Sequence, residues 1–153
     1  MITLKYFRSF EIIFIIIKTF IMKKYIRREM YEAKIRPFIG KDLIKVIVGQ
    51  RRTGKSYFLF QVMDLVQQLN PDIQILYINK EDLAFDTIKT YADLVSFAES
   101  NVTKGKKAAI FIDEIQDIED FEKALRHFHT TGMWDIYCTG SNAKLLSGEL
   151  STY

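Results

Sequence analysis

Apolar positions along this chain fall into two kinds of stretch, short β-branched runs and longer segments with helical spacing, and they take turns. "LIKVIVG", residues 43–49, is short, β-branched and apolar, as a strand buried on both faces should be. After a glycine loop, Phe58, Val62, Leu65, Val66 and Leu69 recur at helical spacing until Asn70-Pro71 ends the helix. "IQILYIN", residues 73–79, predicts a second strand. Asp86 is placed to cap a helix in which Ile88, Tyr91, Ala92 and Val95 share a face. The turn "TKGKK" leads into a third strand at 108–112, with Asp113-Glu114 as its polar end. Ile118, Phe121, Leu125 and Phe128 predict another helix, which Gly132 terminates, and "WDIYCTG" a fourth strand ending in Ser141-Asn142. Upstream, residues 23–35 read as a helix with Ile26, Met30 and Ala33 on one side and basic residues on the other, broken by Pro37. Strands alternating with helices predict an α/β domain whose parallel sheet is covered on both faces. Ligands of such sheets sit at the carboxyl ends of the strands.

Composition narrows the picture only a little. The 153 residues suit one domain, and 48% hydrophobic with 27% charged residues excludes a disordered chain. One cysteine excludes an internal disulfide framework and fits a reducing compartment, so a cytoplasmic location is expected; within its apolar run Cys138 reads as a core residue. His127 and His129 face different ways on a helix and have no ligand-spaced partners, so no structural metal site is expected.

Charge is uneven. Residues 1–41 carry ten Lys/Arg against three Glu, a balance of +7 that leaves −4 for the rest of a chain whose net charge is +3. Such an arm is either a solvated helix face or a contact for nucleic acid or membrane. Residues 10–22 are the most apolar stretch, but they are too few to span a bilayer and include Glu11 and Lys18. No small-residue cleavage site follows, so neither membrane insertion nor a signal peptide is expected. Met22 is a usable start, and the expected organisation is an extension at 1–21 outside the fold, a basic helix at 22–41 and the α/β core at 42–153.

The chemistry lies in "GQRRTGKS", which satisfies the phosphate-loop pattern in full. Gly49 and Gly54 are expected to supply unusual backbone angles and a close wrap around a phosphate. Loop amides and the following helix N-terminus aim partial positive charge at the anion. Lys55 reaches the β- and γ-phosphates, and Ser56 offers its hydroxyl to Mg²⁺, a hard cation that keeps several waters. The expected nucleotide-binding set is Gly49, Gln50, Arg51, Arg52, Thr53, Gly54, Lys55 and Ser56, with Tyr57 next along the helix.

"AAIFIDEIQ" supplies a second constellation. Its strand delivers Asp113 to the sheet edge, where a carboxylate can hold the hydration shell of Mg²⁺, and Glu114 is placed to orient or deprotonate an attacking water. The pair falls two strands after the loop lysine.

Asp-Glu on the third strand resembles the additional-strand P-loop ATPases rather than the GTPases. That resemblance implies a P-loop three-layer sandwich whose fourth strand inserts between the first and third. The tip of that strand, Thr139, Ser141 and Asn142, would then lie between the loop and the acidic pair, with Ser141 or Asn142 as the polar "sensor" of the γ-phosphate or water. "GQRRTGKS", "IFIDEIQ" and "YCTGSNAKLLSGEL" together resemble bacterial and archaeal AAA-type ATPases whose P-loop domain precedes a C-terminal domain of unknown function, from about Met22 to Tyr153.

The resemblance implies ATP with Mg²⁺, phosphate contacts from Lys55 and Ser56, and Asp113 and Glu114 in the acidic motif. It also implies continuation beyond residue 153 into an arginine-bearing segment, a fifth strand beside the first and a further domain, and homo-oligomers are open to the full-length protein. An arginine there stabilises charge on the transferring phosphoryl group. Arg51 and Arg52 are either solvated charges or partial substitutes for it. The chain is therefore expected to bind Mg-ATP in the micromolar-to-millimolar range with little turnover of its own. The alternative is a nucleic-acid-binding or partner-regulating module with ATP as a switch, motivated by Lys23, Lys24, Arg27 and Arg28 with Tyr25 and Tyr31.

Overall fold

Four strands carry the fold: β1 (Ile44–Val48), β2 (Gln74–Asn79), β3 (Ala108–Asp113) and β4 (Trp134–Gly140). They form one parallel sheet in the order β1-β4-β3-β2, so β4 inserts between β1 and β3. The computed structural model describes residues 26–140. The apolar stretch at 10–22, Lys23, Lys24 and Tyr25 of the basic arm, and Ser141 and Asn142 lie outside the described residues.

Strand alternation sorts the core into two layers. Leu76, Ile78, Ile110, Ile112, Ile136 and Cys138 face one side, where α3 (Tyr91–Ser100) and α4 (Phe121–Thr131) cover them with Leu94, Ala98, Leu125 and Phe128. Ala109, Phe111 and Tyr137 face the other, under Phe58, Leu59, Val62, Met63 and Val66 of α2 (Lys55–Leu69). Phe111 stacks on Tyr137 with ring centroids 4.5 Å apart. β3 is buried along its whole length, which accounts for its unbroken apolar run. Cys138 is fully buried, and burial pushes its thiol up to about 12, as suits an inert core residue.

Two expectations need correction. The helix after β2 is capped by Thr90, not Asp86: the Thr90 side chain accepts from the Asp93 amide at 3.4 Å while the Asp93 carboxylate accepts from the Thr90 amide at 2.8 Å. A reciprocal capping box satisfies two end amides, which a lone aspartate four residues earlier cannot do. Asp86 instead closes a short 3₁₀ turn, Leu83–Phe85, and the buried face of α3 is Leu94 and Ala98 with Tyr91 and Ala92 exposed.

The upstream helix is shorter than its pattern suggested. α1 spans Glu29–Ile35, continues as a 3₁₀ turn over Arg36–Phe38 that accommodates Pro37, and is preceded by a non-helical segment at residues 26–28. Ile26 is 90% and Met30 67% exposed, so the expected apolar face does not point inward. The buried amide of Gln61 on α2 holds the backbone of Ile26 and Arg28, and this sets the direction of the segment. Tyr31 then meets Phe58 edge-on at 5.8 Å, and Ile35 packs on the α2 layer.

At the amino end of the sheet, Lys45 on β1 is buried with its ammonium on Asp135 of β4 and on the Lys41 carbonyl at 2.8 Å. The other Asp135 oxygen accepts from the Gly40 amide at 3.0 Å and the Tyr137 hydroxyl at 2.8 Å, so the pair ties the chain entering β1 to the sheet. Asp135→Asn would turn an amide toward a buried ammonium, and is expected to lower stability by about 2 kcal/mol. A urea unfolding midpoint unchanged from wild type would show that this charge pair contributes nothing.

Candidate functional site

β1 ends at Val48 and α2 begins at Lys55, and the six residues between them turn sharply at the carboxyl edge of the sheet. The backbone is left-handed at Arg52, with φ 63°, and at Gly54, with φ 83°. Gly49 does not take such an angle, contrary to expectation. A Cβ there would come 3.1 Å from the Thr53 hydroxyl, so a side chain at this position would press on the loop. That hydroxyl donates to the Gln50 carbonyl at 2.8 Å and closes the loop on itself. Lys55 opens α2 with its side chain folded back under the loop, donating to the same Gln50 carbonyl at 3.2 Å.

The acidic pair meets this loop from the other side. Glu114 follows β3 in a left-handed conformation, φ 57°, that costs a residue other than glycine about 1–2 kcal/mol. Its amide is held by the Thr139 hydroxyl at 3.1 Å, and its carboxylate lies 3.3 Å from the Lys55 ammonium and accepts from the Gln116 amide at 2.6 Å. Lys55 and Glu114 are 6% and 7% exposed, so this is a nearly dry ion pair beneath the loop.

Asp113 is buried just behind them. It accepts from the Thr139 hydroxyl on one oxygen and from the Tyr77 hydroxyl at 3.4 Å on the other. Burial first, and the Asp113 carboxylate next, push the Tyr77 phenol above its ordinary value, which keeps it a donor. Thr139, expected between the loop and the acidic pair, is engaged with both residues of that pair.

A cleft of about 810 Å³ opens above these groups. Arg51, Arg52, Gly54, Lys55, Ser56 and Tyr57 line the loop side, and Glu81 and Glu114 line the sheet edge. Gly49, Gln50, Thr53 and Asp113 are not among the residues lining the cleft; Gln50 and Thr53 are exposed and Asp113 is buried. Glu81, to which the sequence assigned no role, faces Arg51 at 3.7 Å across the opening; both are well exposed, so the pair adds little stability. The sequence placed Glu81 at this sheet edge without a role and Arg28 only in a basic arm, and it did not single out Gln61, a buried polar residue on the inward side of α2.

The donor set suits a magnesium polyphosphate. Among the described residues no three His, Cys, Asp or Glu side chains cluster as a self-sufficient metal site. Magnesium is commonly held by one or two side chains together with phosphate oxygens and water, and Ser56 and Asp113 are hard oxygen donors of that kind. The volume lies within the range of nucleotide-sized ligand pockets.

A parallel sheet with β4 inserted between β1 and β3, a glycine loop joining β1 to α2 and an acidic pair closing β3 make this a P-loop NTPase-like α/β fold. The chain belongs to an AAA domain family, whose family model matches residues 41–153. It is 39% identical over 132 residues to an uncharacterized protein of Haemophilus influenzae, covering 85% of this chain and 33% of the relative. It is 38% identical over 134 residues to an uncharacterized protein of Methanocaldococcus jannaschii, covering 84% of this chain and 27% of that relative. The chain therefore spans about a third or less of these relatives. Among the described residues no helix is long and apolar enough to cross a membrane.

Proposed function

We propose that this chain is the ATP-binding part of an AAA-type ATPase, taking Mg-ATP into the cleft above Lys55 and Glu114, with hydrolysis belonging to the longer protein. The observation that carries this reading is the buried Lys55 ammonium, which sits where the glycine loop and the acidic pair converge. A cation held there, below a loop with left-handed turns and at a helix N-terminus, is suited to an anion such as a polyphosphate.

In this scheme Gly54 and its neighbours present backbone amides to the phosphates, and Lys55 exchanges its contact with Glu114 for phosphate oxygens. Ser56 offers its hydroxyl to the metal, and Asp113, oriented by Thr139 and Tyr77, holds the metal's water. Bound magnesium supplies charge neutralisation across the phosphates. Glu114, once Lys55 turns to the nucleotide, is free to take the proton of an attacking water. Ser141 and Asn142 are proposed as polar contacts to the γ-phosphate or that water, and Tyr57, 53% exposed on the cleft wall, as a contact to the nucleotide.

Calorimetric titration of the chain with ATP is the direct test. Micromolar-to-millimolar affinity that drops when EDTA removes Mg²⁺ is expected; no binding at millimolar ATP would reject the proposal. The nucleic-acid reading draws less support from the described part of the basic arm. Arg27 and Arg36 both pair with Glu32, and Arg28 is turned to the loop.

A further inference from the structure

Arg28 does not behave like its neighbours. Arg27 points to Glu32 at the surface, whereas the Arg28 guanidinium crosses to the glycine loop and donates to the Thr53 carbonyl at 2.8 Å. Its own backbone is held on both sides. The Arg28 amide donates to the buried Gln61 side chain at 3.1 Å, and its carbonyl accepts from the Tyr31 and Glu32 amides that open α1, each at 2.9 Å. Gln61 spends the other end of its amide on the Ile26 carbonyl at 2.9 Å, so a single buried side chain clamps the segment that carries Arg28.

We infer that Arg28 is a positioning residue for the nucleotide loop, held by Gln61, that presets the Gly54 amide toward the cleft. This rests on reading residues 49–56 as a phosphate cradle. A trans peptide is planar, so the Thr53 carbonyl and the Gly54 N–H point in opposite directions. Fixing that carbonyl on Arg28 turns the Gly54 N–H to the other side. Gly54 lines the cleft and Arg28 is not among its lining residues, and we place the cleft on that other side. Without the guanidinium, a glycine in the left-handed region can rotate its peptide at little cost, and the donor is lost to the anion. The approach is close: a Cβ on Gly54 would sit 2.5 Å from a guanidinium nitrogen of Arg28. A fixed cation behind the peptide also strengthens the amide as a donor to an anion on its far side.

The full chain is compared as wild type, Arg28→Ala, Arg28→Lys and Gln61→Met by ¹H–¹⁵N spectra without nucleotide and by titration with Mg-ATP and with inorganic triphosphate. Arg28→Ala and Gln61→Met are expected to shift or broaden the Gly54 amide while the Gly105 and Gly132 amides stay in place as markers of an intact fold. Both variants should bind ATP and triphosphate about ten-fold more weakly, by the same factor for each, and Arg28→Lys should recover part of the loss. A Gly54 amide unmoved by Arg28→Ala, or variant affinities equal to wild type, would overturn the inference. So would a loss confined to ATP, which would put Arg28 on the nucleoside and not on the loop. A wild type that binds neither ligand rejects the phosphate reading itself, whatever the variants do.

Discussion

Replacing Lys55 by alanine is expected to abolish Mg-ATP binding within the range a titration can follow, a loss of about a hundredfold or more. The size follows from where the ammonium sits. It is buried, it bonds the Gln50 carbonyl and it faces Glu114 at 3.3 Å, so truncation leaves the cleft floor with a net negative charge just where a polyphosphate must rest. Removing one partner of a buried charge pair typically forfeits about 2–5 kcal/mol, much of it from the charge left unpaired. The same reasoning predicts a secondary effect in the nucleotide-free protein. The Glu114 carboxylate would lose its counter-charge and keep its Gln116 contact, and the melting temperature should fall while far-UV circular dichroism stays that of a folded chain. Affinity within twofold of wild type in a folded Lys55→Ala variant would remove the loop from nucleotide binding.

Exchanging Glu114 for glutamine should do the opposite to binding and more to chemistry. Glutamine keeps the shape and a partner for Gln116, but it releases Lys55 from a carboxylate and removes a negative charge from the cleft. Mg-ATP affinity should therefore be retained or raised in the chain. In the longer protein turnover should fall by about 10²–10⁴, the usual contribution of a positioned general base. Phosphate release at saturating ATP measures it. Undiminished turnover would take Glu114 out of the reaction, and weaker binding would show that its contact with Lys55 holds the loop open for nucleotide.

How much of this was legible beforehand differs from element to element. All four strands lie where short apolar runs predicted them; burial on both faces explains this for β3, whereas the edge strands β1 and β2 are only partly buried, contrary to the buried strand expected at 43–49. α2 was equally plain, with Phe58, Val62 and Val66 on one stripe and Asn70-Pro71 at its end. The helix after β2 was misread at its start, since Asp86 and Thr90 are both capping residues and only the reciprocal partner Asp93 separates them. The apolar face assigned to the upstream helix failed for a different reason. Its direction is set by one long-range side chain, Gln61, and a local pattern carries no information about a partner 33 residues away.

The candidate site divides along the same line. The candidate phosphate loop stood out by spacing alone, because Gly49, Gly54, Lys55 and Ser56 fall within one short stretch after an apolar strand. The pairing of Lys55 with Glu114, the double hydrogen bonding of Thr139 to the acidic pair, the Arg51–Glu81 pair and Arg28 beside Gly54 were not readable. Each joins groups from different strands or helices. Sequence by itself determined the four strands and α2, and it singled out the loop between β1 and α2 as the candidate site, since periodicity and turn chemistry act over a few residues. Only the tertiary structure decided which charges face one another across the sheet edge, because that depends on β4 threading between β1 and β3 and on a buried amide steering the segment before α1.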